Sequence, residues 1–363
     1  MRRIAVVGTG LIGGSIGLAA RAGDATLEVV GFDPDPQVLE HAVAVGALST
    51  RATTATDAAA DADLVVLCMP VDRIPSVLTE LRAAVGDGAV ITDVGSAKAS
   101  IVALGEATFG DRFVGGHPMA GSERHGIEAA HQGLFEDAWW ILTPTHQTSS
   151  RAYSVVSDLV ARLGAKTVAV DPAAHDALVA RLSHVPQLVA SALVEMAVAA
   201  GDREALLGLA AGGFRDVTRI AASNPDLWVA IVRSNRGAVL EALGALGDQL
   251  TGVSGMISES RWDALRVWLD RSRSARMGLF AKPAFGGEPA ALSLVIPDRP
   301  GVLAEVTTAA GRLGANIEDL RIIHSTEGGQ GRLELVVAGE ERAEVLADAL
   351  RALGYRVERD VIE

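Results

Sequence analysis

The sequence predicts an α/β protein in three parts: a parallel sheet wound with helices, an all-helical segment and a small βαββαβ unit. Three observations predict it. β-branched apolar runs alternate with amphipathic stretches up to about residue 170, convincing strands then vanish, and strand signals return after about residue 290 in a different order.

In residues 1–170 the strands are "RIAVVG", "EVVGFD", "DLVVLCMP", "AVITDVG", "RFVGGHP" and "WWILTP", with helical stretches such as "DPQVLEHAVAVG" and "PSVLTELRAAV" between them. Near-continuous apolar strands alternating with helices imply a parallel sheet covered on both faces. Residues 171–281 show helical periodicity only. Asp171–Pro172 and Asn224–Pro225 each pair a capping side chain with a proline suited to a first helical turn. Pro186 falls inside a helical pattern, lacks an N–H and crowds the carbonyl of Leu182, so a kink is expected there. "AKPAFGGEP" reads as a linker, and residues 290–363 follow as strand, helix, strand, strand, helix, strand, the ferredoxin-like order.

A chain of 363 residues with 49% apolar and 21% charged residues suits two or three folded domains. The net charge of -13 argues against a nucleic-acid partner and means that an anionic substrate needs a local cluster of cations. The single cysteine, Cys68, excludes a disulfide framework, and no metal site is expected. The apolar stretch from Val189 to Ala200 is interrupted by Glu195 and is too short to span a bilayer. The expectation is a cytoplasmic protein with no membrane partner.

The first chemical motif is "VVGTGLIGGSIG". Gly8, Gly10 and Gly13 form G-x-G-x-x-G between a strand and a helix, the Rossmann-type dinucleotide fingerprint, with pyrophosphate expected on the helix N-terminus. Asp33 follows about 20 residues past the glycines, where a carboxylate accepts from a free ribose hydroxyl and repels a 2′-phosphate, favouring NAD over NADP. Leu11 and Ile12, which open the helix, and Met69 and Pro70, which end the third strand, complete the cofactor candidates. "TDVGSAK" and "GGHPMAGSE" each follow a strand at the rim where open α/β sheets bind ligands. Ser96 reads either as a helix N-cap or as a partner of His117; the hydroxyl–imidazole pair would make His117 a general base. The glycines before His117 are expected to bring the backbone close to the cofactor. In the helical part "HDALVARLSHVPQ" carries His175 and His184, and His184, at the expected kink, reads as a buried core histidine or as a site residue. Arg215 and Arg219, four apart after Gly212 and Gly213, would project from one helix face and suit a substrate with carboxylates.

Taken in order, "GTGLIGGS", "DVGSAK", "GGHPMAGSE", "HDALVARLSHVPQ" and "GGFRDVTRIAASNPDLW" resemble the prephenate dehydrogenase family of tyrosine biosynthesis, and "IPDRPGVLAEV" with "GANIEDL" resembles an ACT domain. The resemblance implies oxidative decarboxylation of prephenate to 4-hydroxyphenylpyruvate with NAD, by a homodimer, with tyrosine as effector. It implies that His117 and Ser96 are catalytic. It further implies that Arg219 grips a substrate carboxylate, and that Arg215, His184, Gly212, Trp228 and Glu123 belong to the same pocket. Gln187 stands where the family commonly has a second histidine, which leaves arogenate as an alternative substrate. The effector residues would be Asp298, Gly301, Val302, Leu303, Asn316 and Ile317. A competing reading is a regulator that binds NAD and an amino acid without turnover. A 3-hydroxyacid dehydrogenase is disfavoured because no suitable lysine lies between Lys166 and Lys282.

Overall fold

The computed structural model describes residues 1–121, 126–199, 212–280, 289–297, 302–324 and 330–360. Its contacts divide into two compact units, Met1–Thr251 and Gly252–Glu363.

The first unit is built on eight strands: β1 (Arg3–Val7), β2 (Glu28–Phe32), β3 (Thr50–Arg51), β4 (Leu64–Leu67), β5 (Val90–Asp93), β6 (Phe113–Pro118), β7 (Trp139–Thr143) and β8 (Lys166–Ala169). They lie in the order β3-β2-β1-β4-β5-β6-β7-β8. Alternate side chains feed two cores. Ile4, Val6, Val29, Leu64, Val66 and Val114 face one side, and Ala5, Val7, Val30, Val65, Leu67 and Ile91 face the other. Burial on both faces is why these strands carry no polar alternation. Two strands not named from sequence, β3 and β8, sit at the sheet edges.

The sheet is not wholly parallel. β7 runs antiparallel to β6, with His117 opposite Ile141 and Pro118 opposite Trp140. Between them the described residues hold only a short 3₁₀ turn, Ile127–Ala129, and no crossover helix returns the chain to a parallel start. "GGHP" forms the end of β6, as the reading of "RFVGGHP" as a strand expects. Its glycines answer to packing. A Cβ on Gly115 would lie 2.4 Å from Thr143 Oγ1, and one on Gly116 would lie 2.7 Å from the carbonyl oxygen of Asp93. The expectation that they bring the backbone to a ligand gives way to this closer reason.

In the helical part, the capping expectations hold. Asp171 accepts from the amides of Ala173 and Ala174, and Asn224 from those of Asp226 and Leu227. The disturbance expected at Pro186 takes the form of a π-helical turn, Ala180–His184, between the helices Pro172–Val179 and Val185–Ala199. A wider turn frees the carbonyl that the proline ring would strike. The resulting run of 28 residues, with a window of mean hydropathy 1.4, is long and apolar enough to cross a membrane by composition alone. It carries buried His175, Asp176 and His184, hydrogen-bonded to protein groups.

In the second unit, β9 (Pro289–Pro297), β10 (Ile317–His324), β11 (Gln330–Ala338) and β12 (Arg356–Asp360) form an antiparallel sheet in the order β10-β11-β9-β12. The helices Val302–Arg312 and Glu340–Ala352 supply Val306, Leu346 and Leu350 to a core with Leu292, Leu294, Leu333 and Leu335. This is the expected βαββαβ order. Most of the linker, residues 281–288, lies outside the described residues.

Candidate active site

Gly8 begins the site. It sits at φ +94°, a backbone region open to glycine, and its amide donates to the Phe32 carbonyl at 2.8 Å. A Cβ on Gly13 would stand 2.0 Å from the Gly8 carbonyl oxygen, so the helix Leu11–Gly23 can meet the loop only if residue 13 is glycine. Above Gly10, by contrast, a Cβ would meet nothing within 4 Å. That open space lies over the helix N-terminus, where a pyrophosphate needs to approach free amides. Asp33 holds the loop's far side, accepting from the Thr9 amide at 2.9 Å and the Asp35 amide at 3.1 Å. A dinucleotide fits these residues.

Beside this loop is a cavity of about 330 Å³ whose lining includes Leu11, Ile12, Met69, Pro70, Ser96 and His117. The structure thus brings together six of the residues singled out from sequence. Leu227 and Ile231 of the helix Pro225–Ser234 close its other side.

His117 is held differently from the expectation. Its Nδ1 lies 2.9 Å from His175 Nε2, and His175 Nδ1 lies 2.9 Å from Asp176 Oδ1. The Asp176 carboxylate also accepts from the amides of Lys98 at 2.7 Å and Ala99 at 2.9 Å. It thereby caps the helix Ala99–Phe109, the role that Ser96 was one candidate to fill. Ser96 lines the cavity, but the nitrogen of His117 with a partner is paired to His175. Below His117, Lys98 is fully buried and ion-paired with Asp93, and its Nζ donates to the Gly116 carbonyl at 2.8 Å. Asp93 in turn accepts from the amides of Gly95 at 2.8 Å and Gly116 at 3.3 Å.

Charge follows from this setting. Burial above all, then the neighbouring His175, Lys98 and His184, hold His117 well below the ordinary histidine pKa. Burial raises the Asp176 carboxyl, but the bonds from His175, Ala99 and Lys98 outweigh it and leave it below the usual carboxylate value. His184 is pushed down to about 4, chiefly by burial. It lies 3.3 Å from the Asn235 amide nitrogen and edge-on to Trp228.

Other expected residues fall elsewhere. Gln187 and Trp228 line a second, apolar cleft of about 630 Å³ with Leu188, Val232 and Leu243. The helix Gly212–Thr218 ends before Arg219, which begins a 3₁₀ turn, so the two arginines do not share one α-helical face. Arg215, Arg219 and Gly212 are exposed, and none lines the His117 cavity. Glu123, Asp298 and Gly301 lie outside the described residues. In the small domain Val302 is buried in the core, Leu303 and Asn316 are exposed, and Ile317 is partly buried at the start of β10.

Sequence reasoning gave no role to His175–Asp176 and missed Lys98–Asp93. The second pair stood inside "DVGSAK", one of only three lysines in the chain beside a run of apolar strand residues. A lone lysine so placed was a usable signal.

Residues 16–169 match the family described as the nucleotide-binding domain of prephenate dehydrogenase, 171–271 its dimerization domain, and 292–358 an ACT domain like that of the AHAS small subunit. The chain is 32% identical over 355 residues to the prephenate dehydrogenase of Bacillus subtilis, covering 95% of each. A solved prephenate dehydrogenase from A. aeolicus, in complex with hydroxyphenyl propionate and NAD+, superposes with a TM-score of 0.72 at 31% identity, over 77% of this chain and 98% of that one. The arogenate dehydrogenase of Synechocystis gives a TM-score of 0.68 at 30% identity, over 76% of this chain and 99% of that one. With a dinucleotide loop, a histidine at its rim and a match that runs through both domains, the chain belongs to the prephenate dehydrogenase family.

Proposed function

We propose that this chain is an NAD-dependent dehydrogenase that converts prephenate to 4-hydroxyphenylpyruvate and CO2. The observation that carries the reading is the cavity that puts His117 on one wall and Leu11 and Ile12 of the dinucleotide loop on another. When bound, NAD supplies the hydride acceptor. His117, kept neutral by its setting, takes the proton of the ring hydroxyl as the carbon bearing it is oxidised. Loss of the ring carboxylate as CO2 sends its electron pair into the ring and makes it aromatic, and the proton returns to the product oxygen. Ser96, on the same cavity, is assigned to hydrogen-bond the reacting oxygen. The family resemblance and the chemistry of guanidinium and carboxylate assign Arg219 and Arg215 to the substrate carboxylates, although neither lines the His117 cavity. The preference for prephenate over arogenate rests on the NAD-type Asp33 and on the B. subtilis relative.

Leu182, Met196, Val198, Val217, Leu240 and Leu250, each more than half exposed, support a homodimer formed through the helical part. A cytoplasmic location accords with this reading. Tyrosine as effector of the ACT domain is part of the proposal, through Leu303, Asn316 and the adjoining loop.

The test is NADH formation by the purified chain with prephenate or arogenate, each with NAD or NADP. Reduction is expected with prephenate and NAD; no reduction in any pairing overturns the reading. Asp33→Asn is expected to raise KM for NAD by about tenfold or more, the loss of a hydrogen bond to a charged group, and to narrow the preference over NADP. Steady-state kinetics with both cofactors check this.

The pH profile has a defined sign. His117 acts as a base only when neutral, and its pKa lies well below 6.5. kcat/KM should therefore stay level as pH falls through 6.5 and drop only in more acidic solution. An acid limb at or above 6.5 contradicts the assignment.

A further inference from the structure

His117, His175 and Asp176 stand in line, and hydrogen-bonding capacity dictates the direction of that line. Asp176 is held as a carboxylate by the amides of Lys98 and Ala99, and a carboxylate only accepts. The nitrogen facing it at 2.9 Å, His175 Nδ1, is therefore the protonated one. In the neutral form of His175 there is one N–H, so its Nε2 is bare and accepts. His117 Nδ1, 2.9 Å away, must then donate to it. This leaves Nε2 as the basic nitrogen of a side chain that lines the cavity.

We propose that His175 and Asp176 are positioning residues that fix His117 as the tautomer basic at Nε2 and steady the imidazolium formed when it takes a proton. The proposal rests on the reading of His117 as the general base and deepens it. In the step itself the substrate O–H bond breaks and an Nε2–H bond forms on His117. The protons on His117 Nδ1 and His175 Nδ1 stay where they are, and the transferred proton later returns to the product oxygen.

The remaining groups around the relay fit this direction. Asn235 Nδ2 donates to the Asp176 backbone carbonyl at 2.8 Å and lies beside His184 Nδ1, so His184 presents its lone pair to Asn235. Lys98, paired with Asp93, donates to the Gly116 carbonyl rather than to any imidazole. Of the charged or titratable groups packed about His117 (His175, His184, Lys98, Asp93 and Asp176), only His175 hydrogen-bonds its ring among the described residues.

Asp176→Ala tests the direction. It removes Oδ1, the acceptor that holds the proton on His175 Nδ1, so His175 is free to carry its proton on Nε2 and donate to His117 Nδ1, which releases the proton of His117 to Nε2. The expected result is a fall in kcat of roughly 10²–10⁴, with KM and the Kd for NAD nearly unchanged. Nitrogen-15 NMR of the imidazoles, in full-length protein without substrate, reads the same change independently of turnover. Wild type should show His117 protonated at Nδ1, and Asp176→Ala should show the proton moved in part to Nε2.

Because Asp176 also caps a helix, a second pair of variants separates positioning from folding. His175→Gln can still accept from His117 Nδ1, whereas His175→Leu cannot. At matched Tm and NAD affinity, the Gln variant should retain at least tenfold more kcat than the Leu variant. The proposal is overturned if wild-type His117 is protonated at Nε2, or if a folded His175→Leu variant turns over like wild type. Failure of the underlying function would show separately, as absence of NADH formation by the wild-type protein.

Discussion

His117→Ala is expected to lower kcat by about 10²–10⁴, the range that a positioned general base contributes, while the Kd for NAD changes little. The loss falls on kcat because the bond to the proton in flight strengthens only as the transition state forms. NAD affinity survives because the groups that fit the dinucleotide, Gly8, Gly10, Gly13 and Asp33, lie in the loop after β1, in the first turn of the helix Leu11–Gly23 and just past β2, apart from the strand that carries His117. The fold should survive as well. His117 is only partly buried, and its ring makes one hydrogen bond among the described residues, so truncation leaves His175 Nε2 unpaired at a cost of about 1–3 kcal/mol. Single-turnover hydride transfer, NAD titration and thermal unfolding on the same preparation measure the three quantities. A variant that keeps turnover would remove His117 from the mechanism. A wild-type protein that binds NAD but shows no turnover to lose would favour the non-catalytic regulator.

How much of this was legible in the sequence depends on how local the physics is. The glycine loop could be read because its constraints act within a few residues: a positive φ at Gly8, and the contact of residue 13 with Gly8. Caps at Asp171 and Asn224 were legible for the same reason. The direction of β7 was not, because apolar strands look alike whichever way they run. Pro186 announced a disturbed helix, but not that the disturbance would be a π-helical turn reaching back to Ala180. The partner of His117 was the hardest case. His175 is 58 residues away, on a helix from the other family domain, and Ser96 was the nearer candidate by motif alone. The cation–carboxylate pair under the site went unread although both members stood in one motif.

That pair supplies the largest expected change in stability. Lys98→Met should cost about 3–5 kcal/mol, the usual penalty for removing one partner of a buried ion pair. Both side chains are fully buried, so water cannot replace the lost ammonium. What remains for the Asp93 carboxylate is the Gly95 amide at 2.8 Å and the longer Gly116 bond at 3.3 Å. At about 2–4 °C per kcal/mol for a unit of this size, the midpoint of thermal unfolding should fall by roughly 10 °C. A double-mutant cycle isolates the cause. Asp93→Asn should cost much less in the Lys98→Met background than in wild type, since the charge it removes has already lost its partner. Additive costs would show that Lys98 matters for its stem and not for its charge. The variant should also reach the chemistry. Burial lowers the Lys98 pKa while Asp93 opposes the shift, and Lys98 is among the groups that depress His117. Without it His117 becomes easier to protonate, and the acid limb of kcat/KM moves to higher pH. It also loses the donor that holds the Gly116 carbonyl, one residue before the base. An unfolding midpoint within about 2 °C of wild type, with an unmoved acid limb, would mean that the pair neither supports the sheet rim nor tunes the histidine above it.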